Sequence, residues 1–371
     1  MMKVPILSIC IATYNRSEDL RELLMQILAS SNREFVVDVT DNCSTDGTLS
    51  MLQDFDDDRL IIHENTHNIG GANNMVEAVF NSSAKYALYL NDREVFYSDQ
   101  VDQLIKILSD HTYAYVYIPP RQVVQHHTNI FKVQEYAAGL ASMLASGYTH
   151  HPSGMIYNSD IVRGYLSKSC YFKSESLYKH SLVALDVMQY EKTAVCNLAL
   201  WEERPPEYKV THISGTEPDK HGKAEEVYYH PQKIFNTMKA VVIHLKQYCN
   251  PLRTYTEQEQ VVLYSDIMSY FFSLTLGYKS GMKNEIECAH YKIKSRFITT
   301  RSFLRTWYWY YNHVLQFIAS TQLPRAVFEN WQRDKLRQLK QVLFQSAKDD
   351  IRFITPQFFR KVYRKYFKRQ Y

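Results

Sequence analysis

Four short polar clusters in the first hundred residues each follow an apolar run, and each offers groups able to hold a charged ligand. Thr13-Tyr14-Asn15-Arg16 closes the first run, where a turn exposes backbone N–H groups and small polar side chains. Asp41 to Thr48 (DNCSTDGT) closes the second. Asp41 can accept a hydrogen bond from a ligand N–H or hydroxyl, while Ser44 and Asp46 suit the cap of a following helix and Gly47 eases the turn. Asn68-Ile69-Gly70-Gly71 lets the backbone approach a ligand ahead of a helix N-terminus, which favours an anion; alone it reads better as a plain glycine-rich turn. Asn91-Asp92-Arg93-Glu94 sets two carboxylates, Asp92 and Glu94, on either side of an arginine. Such oxygens are ligands for a hard divalent cation, and Arg93 can neutralise phosphate.

The elements that must position these clusters alternate. Ile6 to Ala12 is a β-branched run, and Asp19 to Ala29 carries Leu20, Leu23, Leu24, Ile27 and Leu28 at a helical period. Glu34 to Thr40, Leu60 to His63 and Tyr86 to Leu90 read as strands, with helices from Asp46 to about Phe55 and from Ala72 to Phe80. Strand and helix in alternation predict parallel strands with crossover helices, and ligands bind beyond the C-terminal ends of such strands. Thr13-Tyr14-Asn15, Asp41-Asn42 and Asn91-Asp92 fall there. Further on, helices are expected over 99–109, 133–146 and 176–192, and strands over 113–118 and 193–200. Residues 202–230 read as a polar loop, and from Pro231 onward the text is helical.

LSICIATYNR, VVDVTDNCSTDGT, HNIGGANN and YALYLNDREVF, in that order, resemble the successive signatures of family 2 glycosyltransferases across about residues 4–200. The resemblance implies an α/β GT-A fold, a Rossmann-like nucleotide-diphospho-sugar domain, and sugar transfer with inversion from a nucleotide-diphosphate donor, taken as UDP-linked. It implies that Ala12, Thr13, Tyr14 and Asn15 touch base and ribose, that Asp41 contacts the nucleotide, and that Asn68, Gly70, Asn91, Asp92 and Arg93 line the donor. The family's usual Asp-x-Asp holds Mn²⁺ or Mg²⁺ against the leaving diphosphate. Here it is Asp-x-Glu, so Asp92 and Glu94 are the expected ligands and strict metal dependence is open.

The acceptor side departs further. HHPSGMIYN at 150–158 looks like the acceptor loop, but no Glu-Asp pair follows at the family's position for the catalytic base. His180 stands nearest it, with an unperturbed pKa near 6.5 that suits a base. Asp186 ranks beside it and Glu175 behind; a capping or packing role competes for all three. His150 and His151 could bind diphosphate or simply be exposed. Lys209, His212, Lys220, His221 and Lys223 could close over the donor or be solvated.

Charge divides the 371 residues: −11 over 1–230 and +15 over 231–371, within a net +4. The expected domains are 1–215, GT-A-like, and 216–371, basic and α-helical. In the tail helix 356–370, pairs such as Arg360-Lys361 and Tyr366-Phe367 alternate cationic and aromatic faces. This suits an anionic membrane surface. An ordinary docked helix competes, and no motif accompanies the charge to suggest nucleic acid. Trp307 to Tyr311 is an aromatic cluster of the helical part or of an interfacial belt. A short apolar start interrupted by Thr13-Tyr14-Asn15 reads as a strand and not a signal peptide, and six dispersed cysteines without a CxxC pair fit a reduced compartment. The expectation is a cytoplasmic enzyme peripheral to the inner face of the cell membrane, acting on a lipid-linked or cell-surface glycan. A soluble or protein acceptor, with C-terminal helices serving a homo-oligomer, and a non-catalytic partner subunit stay open.

Overall fold

A computed structural model describes residues 4–124, 133–143, 151–205, 231–248, 256–281, 312–321, 323–327 and 329–331. β1 (Leu7–Thr13), α1 (Ser17–Leu28), β2 (Phe35–Asp41), α2 (Thr48–Gln53), β3 (Leu60–Glu64), α3 (Gly71–Phe80) and β4 (Tyr86–Asn91) alternate as expected. α1 forms because Leu20, Leu23, Leu24 and Ile27 share one face, which is buried, and because Glu18 and Asp19 favour its N-terminal dipole. The strands are near-continuous apolar runs because they are covered on both faces; Leu7, Ile9 and Ile11 of β1 are fully buried.

After β4 come β5 (Val95–Phe96), α4 (Val101–Asp110), β6 (Tyr115–Tyr117), α5 (Arg121–Val124), β7 (Val133–Tyr136), α6 (Leu140–Ser142) and β8 (Met155–Asn158). α7 (Ser159–Tyr165), α8 (Lys168–Lys173), α9 (Lys179–Val187), β9 (Thr193–Cys196) and β10 (Trp201–Glu202) follow, then α10 (Pro231–Tyr248) and α11 (Glu257–Gly281). Eight strands form one mixed sheet in the order β3-β2-β1-β4-β8-β6-β9-β7, and β10 pairs with β5 in a small antiparallel ribbon. This is a Rossmann-like GT-A core, with helical text after it.

The helix expected over 133–146 is not what forms. Residues 133–136 are an edge strand antiparallel to β9, and Glu135 accepts hydrogen bonds from Tyr113 Oη (2.7 Å) and Lys192 Nζ (2.8 Å). Cross-strand partners from distant sequence override the helix-like spacing of Tyr136, Leu140 and Met143. α7 and α8, not anticipated from sequence, follow the acceptor-side strand β8.

Contacts divide the chain into residues 1–222 with 236–259, and residues 223–235 with 260–371. Within the second unit, Val261, Ile267, Met268 and Phe271 of α11 are buried, as are Val314 and Trp331, and Phe235 meets Phe317 edge-on. Among the described residues no helix is long and apolar enough to cross a membrane. The cluster Trp307–Tyr311, the tail 356–370, His150 and the basic loop residues Lys209, His212, Lys220, His221 and Lys223 lie outside the described residues.

Candidate functional site

β1 pairs in parallel with β2 on one side and β4 on the other, so crossover direction reverses at β1. The crevice beyond the C-terminal ends of β1 and β4 is the switch point where open α/β sheets take ligands. Thr13 ends β1, and Asn91 ends β4 as the partner of Ala12. Across the crevice Thr13 Oγ1 donates to Asp92 Oδ2 (3.0 Å), and Arg16 Nη1 donates to Asp92 Oδ1 (2.8 Å). Asp92 is only 4% exposed, and its charge keeps Arg16 protonated beyond the usual guanidinium range, against the opposing effect of burial.

The loops after β1 and β2 lock each other. Asn15 and Cys43 adopt positive φ (51° and 63°), a region asparagine tolerates through local hydrogen bonds. Asn15 N donates to Ser44 Oγ (2.9 Å), and Asn15 Oδ1 accepts from Thr45 N (2.7 Å). Asp41 accepts from Ser44 N and Oγ, which ties Ser44 to the loop and not to the start of α2. Asp46 does serve helix starts: it accepts from Thr48 N of α2 and from Ser17 N of α1.

An asparagine frame holds the third cluster. Asn42 donates to Asn68 Oδ1 (2.8 Å) and accepts from Ile69 N (2.9 Å), while Asn68 Oδ1 also takes Gly70 N (2.8 Å). Gly70 has φ +83°, a conformation few side chains permit, and α3 begins directly after it. Asn74 of α3 donates to Thr13 O (3.3 Å) and Thr40 O (3.1 Å), anchoring α3 to the ends of β1 and β2.

Glu94 faces the loop before β8. Ser153 Oγ and Asn91 Nδ2 both donate to Glu94 Oε1 (3.1 and 3.0 Å), and Asn91 N donates to Ser153 Oγ. Gly154 has φ +90° and packs against Ile118 O and Trp201, whose Nε1 donates to the same carbonyl (2.8 Å). His151 stacks on Trp201, with ring centroids 5.3 Å apart. Arg93 is half-buried, and its carbonyl accepts from Arg204 Nε (3.2 Å). Asp92 and Glu94 are buried oxygen donors of the type a hard cation takes, but Thr13 and Arg16 occupy both Asp92 oxygens. Among the described residues no group of three or more His, Cys, Asp or Glu is gathered for a metal.

The base candidates separate. The first turn of α9 meets the first turn of α3: Lys179 Nζ donates to Asn73 Oδ1 (2.6 Å) and to Phe172 O (2.9 Å). His180 follows, 6% exposed, and Nδ1 has no hydrogen-bond partner. Burial first, and nearby His151 second, push its imidazole down to about 3. Asp186 is not beside these groups; it accepts from Tyr171 Oη of α8 and from His244 Nε2 of α10 (2.8 Å). Glu175 is exposed between α8 and α9. Sequence reading placed Arg16 in the first cluster and Asn42 in the second without giving either a role, and it missed Asn74 and Lys179.

Residues 8–179 match the profile of the family described as Glycosyl transferase family 2. By that match residues 8–179 are a family 2 glycosyltransferase segment. A curated relative, TuaG of Bacillus subtilis (strain 168), is provisionally described as a teichuronic acid biosynthesis glycosyltransferase and is 22% identical over 130 residues. That match takes in 34% of this chain and 52% of TuaG, so the chain spans about half the length of this relative. Among solved structures, S. aureus TarS 1-349 in complex with UDP aligns with a TM-score of 0.44 at 14% identity, covering 77% of this chain and 88% of that one. The mannosyltransferase PcManGT from Pyrobaculum calidifontis, in complex with GDP-Man and Mn²⁺, aligns at 0.47 and 12% identity, covering 95% and 89%.

Proposed function

We propose that this glycosyltransferase moves a sugar from a nucleotide-diphosphate donor, UDP-linked, to a hydroxyl of a cell-surface or lipid-linked glycan. The observation that carries the reading is the closure of the β1/β4 switch point by Thr13, Arg16 and Asp92 within the family segment. In this reading the loops 13–16 and 41–45 seat the nucleoside, with Asp41 shaping the pocket through Ser44. The α3 N-terminus after Gly70 faces the diphosphate, where its dipole and Arg93 offset negative charge. Asp92 and Glu94 would hold Mn²⁺ or Mg²⁺, which when bound neutralises the charge that develops on the leaving diphosphate.

His180 is the proposed base, because its Nδ1 is unpartnered and it follows Lys179, which bonds Asn73 in the first turn of α3. Burial holds the ring neutral but lowers its proton affinity, so Nδ1 takes the acceptor hydroxyl's proton, as that oxygen attacks the anomeric carbon, only once the bound substrates have charged the site. Negative charge from a bound diphosphate raises the ring's proton affinity. Ser153 and Asn91 keep Glu94 in place beside the acceptor loop. The proposed domain limits are 1–215 and 216–371. Seven cationic residues and no acid in 352–371 support reversible attachment to the inner face of an anionic membrane.

The test is calorimetric titration of the purified chain with UDP and GDP, with and without Mn²⁺, followed by the same titration of Asp92→Ala. Metal-dependent UDP binding that the substitution abolishes supports the reading. Failure to bind either nucleotide rejects it and favours a non-catalytic partner subunit.

A further inference from the structure

On the flank of α9 away from Lys179 and His180 lies a cavity of about 330 Å³, whose walls include Tyr165, Cys170, Tyr171, Asp186, Gln189 and Tyr190. A second hollow of about 220 Å³ shares Cys170 and continues past His244 and Ile243 of α10. Three features define the chemistry of this groove. Tyr165 is 69% exposed and stacks on Tyr190, ring centroids 4.9 Å apart, making an aromatic platform at the mouth. Asp186 is 5% exposed; Oδ2 is taken by Tyr171 and His244, but Oδ1 has no hydrogen-bond partner, and an unsatisfied buried carboxylate oxygen is costly. The Cys170 thiol is pushed up to about 11 by burial first and Asp186 second, so it is no nucleophile here.

We propose that this groove is a carbohydrate-binding subsite that takes a sugar unit of the acceptor away from the reacting hydroxyl, an assignment of role that rests on the transferase reading above. An aromatic face covers the apolar face of a sugar ring, and ring hydroxyls can bond the polar side chains of the walls, Gln189 and Asp186 among them. Position fits as well. His180 and Asp186 lie on the same helix six residues apart, about 9 Å along its axis at 1.5 Å per residue. An acceptor chain long enough to pass around α9 would set a neighbouring sugar in the groove, and binding energy gained there can position the reacting end.

The experiment is saturation-transfer NMR of the full chain with free glucose, galactose, N-acetylglucosamine and N-acetylmannosamine, with and without saturating UDP. The expected result is transfer to at least one sugar that persists with UDP and weakens roughly tenfold in Tyr165→Ala, whose exposed ring can be removed without disturbing the core. No transfer to any of the four, transfer unaffected by Tyr165→Ala, or transfer abolished by UDP would each overturn the proposal. UDP titration of the same samples reports separately on the donor crevice. Sugar binding at Tyr165 without nucleotide binding keeps the subsite and removes its acceptor role.

Discussion

Gly154→Ala tests the packing of the acceptor-side loop. At φ +90° an L-residue is strained by about 1–2 kcal/mol. The added Cβ would lie 2.6 Å from Trp201 Nε1 and well inside contact with Ile118 O, so it falls between the donor and acceptor of a buried hydrogen bond. Losing that bond while leaving its groups buried adds about 1–3 kcal/mol. The sum is about 2–5 kcal/mol, which for a unit of this size lowers Tm by roughly 10 °C. Calorimetric and near-ultraviolet dichroism melts of both proteins measure it. Gly164→Ala is the control, since that glycine lies in α7 with nothing near the added carbon; it should be neutral or stabilising by about 0.5–1 kcal/mol. A Gly154→Ala loss below about 1 kcal/mol would refute the argument that this backbone position admits only glycine.

Asn74→Ala removes the donor to Thr13 O and Thr40 O; a loss of about 2–3 kcal/mol is expected in urea unfolding, with weaker UDP binding as β1 and α3 separate. His180 is neutral in the fold at about 3 but binds a proton near 6.5 when unfolded, so stability must fall as pH drops from 6.5 toward 3. Between pH 6.5 and 5 this is roughly 1–2 kcal/mol, and His180→Gln should flatten that part of the stability–pH curve; an unchanged slope would contradict the buried neutral ring. Deleting 352–371 should release the chain from phosphatidylserine vesicles in a flotation assay, leaving UDP binding intact; retained flotation would defeat the anchor.

The first four strands were legible because each is a short apolar run, buried in β1, β2 and β4 and half-buried in β3, followed by a polar cluster. Thr13 and Asp92 were singled out by type and position. Their hydrogen bond was not legible, because it depends on β1 and β4 becoming neighbours. The same limit hid Lys179, whose partner Asn73 comes from a different helix, and the role of Asn74, which reads as an ordinary polar residue on α3. β7 was misread because an exposed edge strand lacks the apolar alternation that marks a half-buried one. Asp186 shows the opposite difficulty: a carboxylate on the expected helix whose partners come from α8 and α10.

The bonds that stitch the donor crevice also bear on how the chain reaches its fold. Thr13 meets Asp92 across 79 residues, Asn91 meets Ser153 across 62, and Asn73 meets Lys179 across 106. Each closes a long loop whose entropy must be spent before the contact returns anything. A nascent chain that has exposed only its first three strands therefore has no crevice, and one that stops before α9 has a crevice without its Lys179 wall. Nucleotide binding should appear late in synthesis and all at once, so the ligand acts on the finished domain and gives no help to its early folding steps.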